Sequence, residues 1–179
     1  TSDREFKYRV KQFAKAFSVG RQTMFNDDLG ALQEVFNGFG QGSATSEQRL
    51  FWEMFVDDAG TFYDASNLSS NPLSIDGLTL ANTQLTEQVD TNGDPIVVNS
   101  KQLIVPPALE TYARQLVNDQ NVNETTTTDS PKVASNPHKG RYSVIVEPYL
   151  SNSLITGNSA TTWYLQASPS EIASHGYVR

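Results

Sequence analysis

The stretch "LIVPPALETYARQLVND", Leu103 to Asp119, constrains the fold more than any other. A proline holds the residue before it extended, so Val105 must be extended, and Pro106, itself followed by Pro107, must be extended too. Pro107 can then open a helix as its first residue, where the missing N–H breaks no helical hydrogen bond. Leu109, Tyr112, Ala113, Leu116 and Val117 recur at helical spacing beyond it. The segment therefore predicts a rigid corner from a buried strand into an amphipathic helix. Strand and helix in such close succession imply a mixed α+β domain.

The flanking sequence extends this pattern. "FKYRVKQFAKAFSVGRQTMF" (Phe6 to Phe25) alternates apolar and basic residues and predicts long strands with one dry and one wet face, bent at Gly20. "NDDLGALQEVFNGF" predicts a helix opened by Asn26, Asp27 and Asp28, with Leu29, Leu32, Val35, Phe36 and Phe39 as its stripe. Gly38, Gly40 and Gly42 then predict a break or strong kink. Thr45 with Gln48 fits a capping box that restarts a helix with Leu50, Phe51, Met54 and Phe55 on its apolar side. Phe62 to Ser74 reads as loop. "SIDGLTLANTQLTEQVD" predicts another helix, with Leu78, Ala81, Leu85 and Val89 facing inward, and Asn92-Gly93 predicts a tight turn. "QNVNETTTTDSPKVASNPHKG" (Gln120 to Gly140) is almost devoid of apolar residues and reads as exposed loop or disordered segment. "RYSVIVEPYL" and "TTWYLQAS" predict strands, with Tyr142, Val144 and Val146 alternating. No repeat is apparent.

Composition narrows the function classes. The 179 residues suffice for one domain or two small ones. A net charge of -7 argues against general nucleic-acid binding by the whole chain. Yet six of the thirteen basic residues, Arg4, Lys7, Arg9, Lys11, Lys15 and Arg21, crowd the first 21 positions, and the remainder is strongly acidic. These six are the candidate contact residues. They form either a solvated sheet face or an arm that pairs with an acidic neighbouring chain. There is no cysteine, which excludes disulfides and thiolate chemistry. No apolar stretch approaches the roughly 20 residues that span a bilayer, and no signal peptide is visible.

Signals for catalysis are weak. The two histidines, His138 and His175, lack metal-ligand spacing and read as surface residues. "GFGQGS" follows a helix and has no lysine after it, so it suits a hinge better than a phosphate loop. Asp27-Asp28 and Asp57-Asp58 read as a helix start and a helix end in preference to a Mg²⁺ or Ca²⁺ site. No base is placed to activate any of the many serines. The residues thus indicate no catalytic site, no metal and no cofactor.

Three segments, "MFNDDLGALQEVFNGFGQGSATSEQRLFWEMF", "DTNGDPIVVNSKQLIVPPALETYARQLVND" and "RYSVIVEPYLSNSLITGNSATTWYLQASP", resemble in their order the major capsid proteins of tailed bacteriophages. The likeness is to the group of Mu-like major head subunits and capsid domains fused to prohead proteases, and covers most of Phe6 to Pro169. The resemblance implies the Hong-Kong-97-type capsid fold, truncated at both ends. Residues 1–25 would be basic strands near the extended loop. Residues 26–119 would form the peripheral domain, with a spine helix over Asp27 to Asp57, and the start of the axial domain. Residues 120–179 would be axial-domain strands and loop. The three glycines depart from the alanine-rich spine of the family. The implied partners are copies of the chain, in hexamers and pentamers of a shell, with scaffold or portal proteins and packaged DNA held only non-specifically. The implied location is the virion capsid, after assembly in the host bacterial cytoplasm. The alternatives are a prohead protease or other hydrolase, and a binding module that uses the basic strands.

Overall fold

The computed structural model describes residues 14, 16, 18, 20–25, 30–57, 67–90, 92–124 and 132–168. The chain divides into two compact units, Thr1–Thr45 and Ser46–Arg179.

In the first unit, Arg21–Phe25 form a short helix, α1, where a strand is expected. Arg21, Gln22 and Met24 are good helix formers once Gly20 has ended the alternating pattern. The Arg21 guanidinium also reaches over the Phe25 ring, 5.9 Å from its centroid, a contact that helical i, i+4 spacing creates. Ala14, Ala16, Ser18 and Gly20 carry no regular structure, and the other residues of the expected strands lie outside the described residues. So do Asn26, Asp27 and Asp28, the expected helix start.

Helix α2 spans Ala31–Asp57 without interruption. It follows Gly30, whose φ of +69° suits glycine, and Glu34 N donates to the Gly30 carbonyl. The expected break at Gly38, Gly40 and Gly42 is absent, and Thr45 is no cap. Its hydroxyl donates to the Gln41 carbonyl one turn back, as in a helix interior. Each glycine costs a helix about 1 kcal/mol relative to alanine; continued helical hydrogen bonding outweighs that cost. A Cβ placed on any of the three meets nothing within 4 Å. Replacing all three by alanine should therefore raise stability, by about 0.5–1 kcal/mol per site. Thermal melting and helical circular dichroism check this, and a loss of stability would contradict an uninterrupted helix. Val35 and Phe36 of the expected stripe lie at the surface.

In the second unit the core forms around a three-stranded mixed sheet in the order β4-β1-β5. Strand β1 (Ser100–Val105) is central. It pairs in parallel with β4 (Ser143–Val146) and antiparallel with β5 (Tyr164–Ala167), with Leu103 opposite Val144 on one side and Leu165 on the other. Successive side chains of a strand point to opposite faces, and both faces of β1 are covered. Leu103 and Val105 meet Leu73, Tyr142, Leu78 of helix α3 (Ile75–Thr86), and Ala113, Leu116 and Val117 of helix α4 (Glu110–Asn118). Ile104 meets Leu150, Ile155 and the last turns of α2, where Phe55 and Val56 are buried and Phe51 and Trp52 pack beside them. Met54, expected on this apolar side, is instead exposed.

The proline corner forms as the sequence predicts. Pro106 is extended at φ -69°, ψ 160°, and Pro107–Leu109 make a 3-10 turn that leads into α4. The α-helix proper starts at Glu110, three residues later than expected. The Val105 carbonyl, left without a helical donor, accepts from Glu147 N beyond β4. Helix α3 starts where Ser74 accepts from Gly77 N at 3.0 Å. Leu78 is fully buried and Ala81 and Leu85 are half-buried, whereas Val89 lies past the helix end, exposed, bridged to Pro95. The expected turn follows, with Gly93 at φ +90°.

The segment Gln120 to Gly140 departs most from expectation. Strands β2 (Asn121–Glu124) and β3 (Lys132–Ser135) pair antiparallel, and Asn136 and His138 just after them are buried. Main-chain hydrogen bonds make this ladder, so it needs no apolar alternation in sequence.

Candidate functional site

Of the six candidate contact residues, Arg4, Lys7, Arg9, Lys11 and Lys15 lie outside the described residues. Arg21 is exposed on α1, so its setting is a helix and not the expected strand. His175, Asp27, Asp28 and Asp58 also lie outside the described residues, and Asp57 ends α2. Among the described residues no three His, Cys, Asp or Glu side chains group to hold a metal ion, and no helix is long and apolar enough to cross a membrane.

His138 is not a surface residue: only 2% of it is exposed. The cause lies in Asn136. Its amide nitrogen donates to the carbonyls of Leu116 (2.6 Å) and Asp119 (2.9 Å) at the end of α4, and its oxygen accepts from His138 N (2.9 Å). Gly140 N donates to the Val117 carbonyl, which closes the turn against the same helix end. The imidazole is thereby pressed between α3 and Tyr142. Its Nε2 lies 2.9 Å from Thr79 Oγ1 and its Nδ1 lies 3.2 Å from the Tyr142 hydroxyl. Thr79 Oγ1 itself donates to the Ile75 carbonyl at 2.8 Å. All these groups are satisfied when Nε2 carries the proton and Tyr142 donates to Nδ1. With its hydroxyl proton on a helix carbonyl, Thr79 is not set up as a nucleophile. The arrangement ties α3 to the end of α4.

Burial, with the nearby Arg141 charge, lowers the His138 pKa below 6.5, and a hydrogen bond to the Ile75 carbonyl offsets this only in part. The unfolded chain then binds a proton more readily than the folded one. The stabilisation is complete above pH 6.5 and falls as the pH drops from 6.5 through the lower folded value. Denaturant melts between about pH 7 and pH 5 should show this loss. His138→Gln should be less stable at neutral pH and respond less to acid over that range. Equal slopes for the two proteins would contradict this role.

A second feature lies where β1 and β4 begin and β5 ends. Lys101, Gln102, Arg141, Tyr142, Ser143 and Ser168 line an open cavity of about 520 Å³. Lys101 and Arg141 are both exposed, and among the described residues no carboxylate pairs with either. The Arg141 guanidinium lies 5.8 Å from the Tyr142 ring centroid, and its backbone N–H donates to the His138 carbonyl. Only seven of the thirteen basic residues fall beyond Arg21, and two of them line this cavity. This cavity was missed in sequence because its lining comes from three separate strand segments, whose pairing no one segment reveals. The adjacent Lys139, Gly140 and Arg141 in an otherwise acidic stretch were its one local signal.

Neither feature has the form of a catalytic centre: one is a buried structural tie and the other an open basic concavity on an acidic protein. Comparison with known proteins agrees with a structural role. No curated protein and no solved structure matches the chain. The sequence model of the family described as "Phage capsid protein" matches residues 4–179, nearly the whole length. The chain therefore belongs to the phage capsid protein family and is a structural protein of the virus.

Proposed function

We propose that this chain is a major head subunit of the Hong-Kong-97 type, whose copies assemble into hexamers and pentamers of an icosahedral shell around phage DNA. The observation that carries this reading is the family match over residues 4–179. An uninterrupted 27-residue helix suits a spine helix of the peripheral domain. A mixed sheet whose central strand leaves through a rigid proline corner suits the passage toward the axial domain, which residues 120–179 would complete. The basic residues Arg4, Lys7, Arg9, Lys11, Lys15 and Arg21 would reach an acidic neighbouring subunit, since charge complementarity sets the register of such contacts. Scaffold and portal proteins would be further partners, DNA would be held only non-specifically, and assembly would take place in the host cytoplasm. A hydrolase reading gains nothing from His138, enclosed between Thr79 and Tyr142.

Sedimentation velocity and negative-stain imaging of the full-length protein test the proposal. Rings or closed shells are expected. A protein that stays monomeric at high concentration across salt and pH would overturn it. A steeply salt-dependent affinity for nucleic acid would then favour the binding-module reading.

A further inference from the structure

We infer that the Lys101–Arg141 cavity receives the Asp90–Asp94 turn of a second copy of this chain. The inference rests on the assembly reading and adds a named contact to it. Two exposed cations, with no carboxylate partner among the described residues, line one cavity with the exposed Ser143. This donor set suits carboxylates, and the Tyr142 ring steadies the Arg141 fork. Phosphate shares that chemistry, but under the assembly reading the surface that meets this cavity belongs to another copy of the chain. Another copy of the same chain offers mainly carboxylates.

The Asp90–Asp94 turn is the best-presented of them. Asp90 accepts from the backbone N–H groups of Asn92 (2.8 Å) and Asp94 (2.9 Å) and from the Asn92 amide (3.3 Å). These bonds hold Asp90, Asn92 and Asp94 together before any partner arrives, which lowers the entropic cost of docking. They also depress the Asp90 pKa, so the tip stays charged. The Asp94 carboxylate makes no hydrogen bond or ion pair among the described residues. Val97, 90% exposed, and Val89, 56% exposed, flank the tip with apolar surface that docking would cover. Cavity and turn are different patches of one molecule. Their contact is therefore heterologous, the kind that closes rings.

The test uses the full-length protein as wild type, as Lys101→Glu/Arg141→Glu, as Asp94→Lys, and as an equimolar mixture of the two variants. All three side chains are exposed, and thermal melts establish that each variant folds; Lys101→Gln/Arg141→Gln replaces the double reversal should that fail. Sedimentation reads the concentration needed for assembly. Each variant alone should need about tenfold more protein or fail to assemble. The mixture should recover as even-membered rings, because the reversed cavity then meets the Asp94→Lys tip and the unaltered cavity meets the unaltered tip. Assembly of either variant at the wild-type concentration, or no recovery on mixing, would overturn the inference and leave the assembly reading intact. A double variant that assembles normally but no longer retains a duplex DNA probe would make the cavity a phosphate seat, which also overturns it. A wild type that never assembles would overturn both.

Discussion

Changing Asn136 to aspartate should destabilise the Ser46–Arg179 unit by about 3 kcal/mol or more, although the two side chains have the same shape. The amide nitrogen donates to two carbonyls at the end of α4. A carboxylate oxygen in its place would face those carbonyls as acceptor against acceptor, and its charge would sit at the negative end of a helix. Asn136 is itself only 7% exposed, so water cannot readily take over. Asn136→Ala should cost about 2 kcal/mol, since it removes the donor without adding a repelling charge. Denaturant melts of the two variants at neutral pH check the order. Lowering the pH toward the carboxylate range should narrow the gap between them, because the introduced carboxyl group regains a donor once it is protonated. Variants as stable as the wild type at neutral pH would mean that the amide does not cap α4.

Gly77→Ala should be nearly as damaging, at about 3 kcal/mol, for a steric reason. A Cβ at this position would lie 2.2 Å from the Pro72 carbonyl oxygen and 3.2 Å from Ser74 Oγ. The first contact is with backbone, so relief requires the approach to α3 to move. That approach carries Leu73, which is in the core, and Ser74, which caps the helix. The same substitution is expected to stabilise at Gly38, Gly40 and Gly42, where the space is open. A destabilising Gly77→Ala beside a stabilising Gly38→Ala separates close approach from helix propensity. Matching effects at the two sites would show that the Pro72 contact does not hold.

The parts of the fold that could be read from sequence are those set by local stereochemistry and by apolar periodicity. Pro106 and Pro107 leave the backbone few choices, and the strand-to-helix corner stands where they put it. Leu103, Val144 and Leu165 mark strands that do pair across the sheet. The errors came where a weak local preference was set against continuity. Three glycines disfavour helix, yet α2 runs through them because the cost of each is small. The hairpin of β2 and β3, and the burial of Asn136 and His138, were invisible for a different reason. Polar residues become buried when the main chain supplies their partners, and carbonyls at a helix end distant in sequence carry no local signal. The candidate cavity was hidden in the same way. Lys101 and Arg141 line one cavity only because β1 and β4 lie side by side in parallel.

That pairing also bears on how the protein is made. Strand β1 leaves the ribosome as an apolar ribbon with a bonding edge on either side. Its parallel neighbour and its antiparallel neighbour are both encoded later, the second ending at Ala167. Until Ala167 has been translated, Leu103, Ile104 and Val105 have no complete sheet to join. The unit should therefore fold late and in one step, so that nascent chains cannot prematurely present a finished surface to one another. A chain interrupted before β5 should be recovered as insoluble aggregate, since its unfilled edge would be open to the same strand of any other stalled chain.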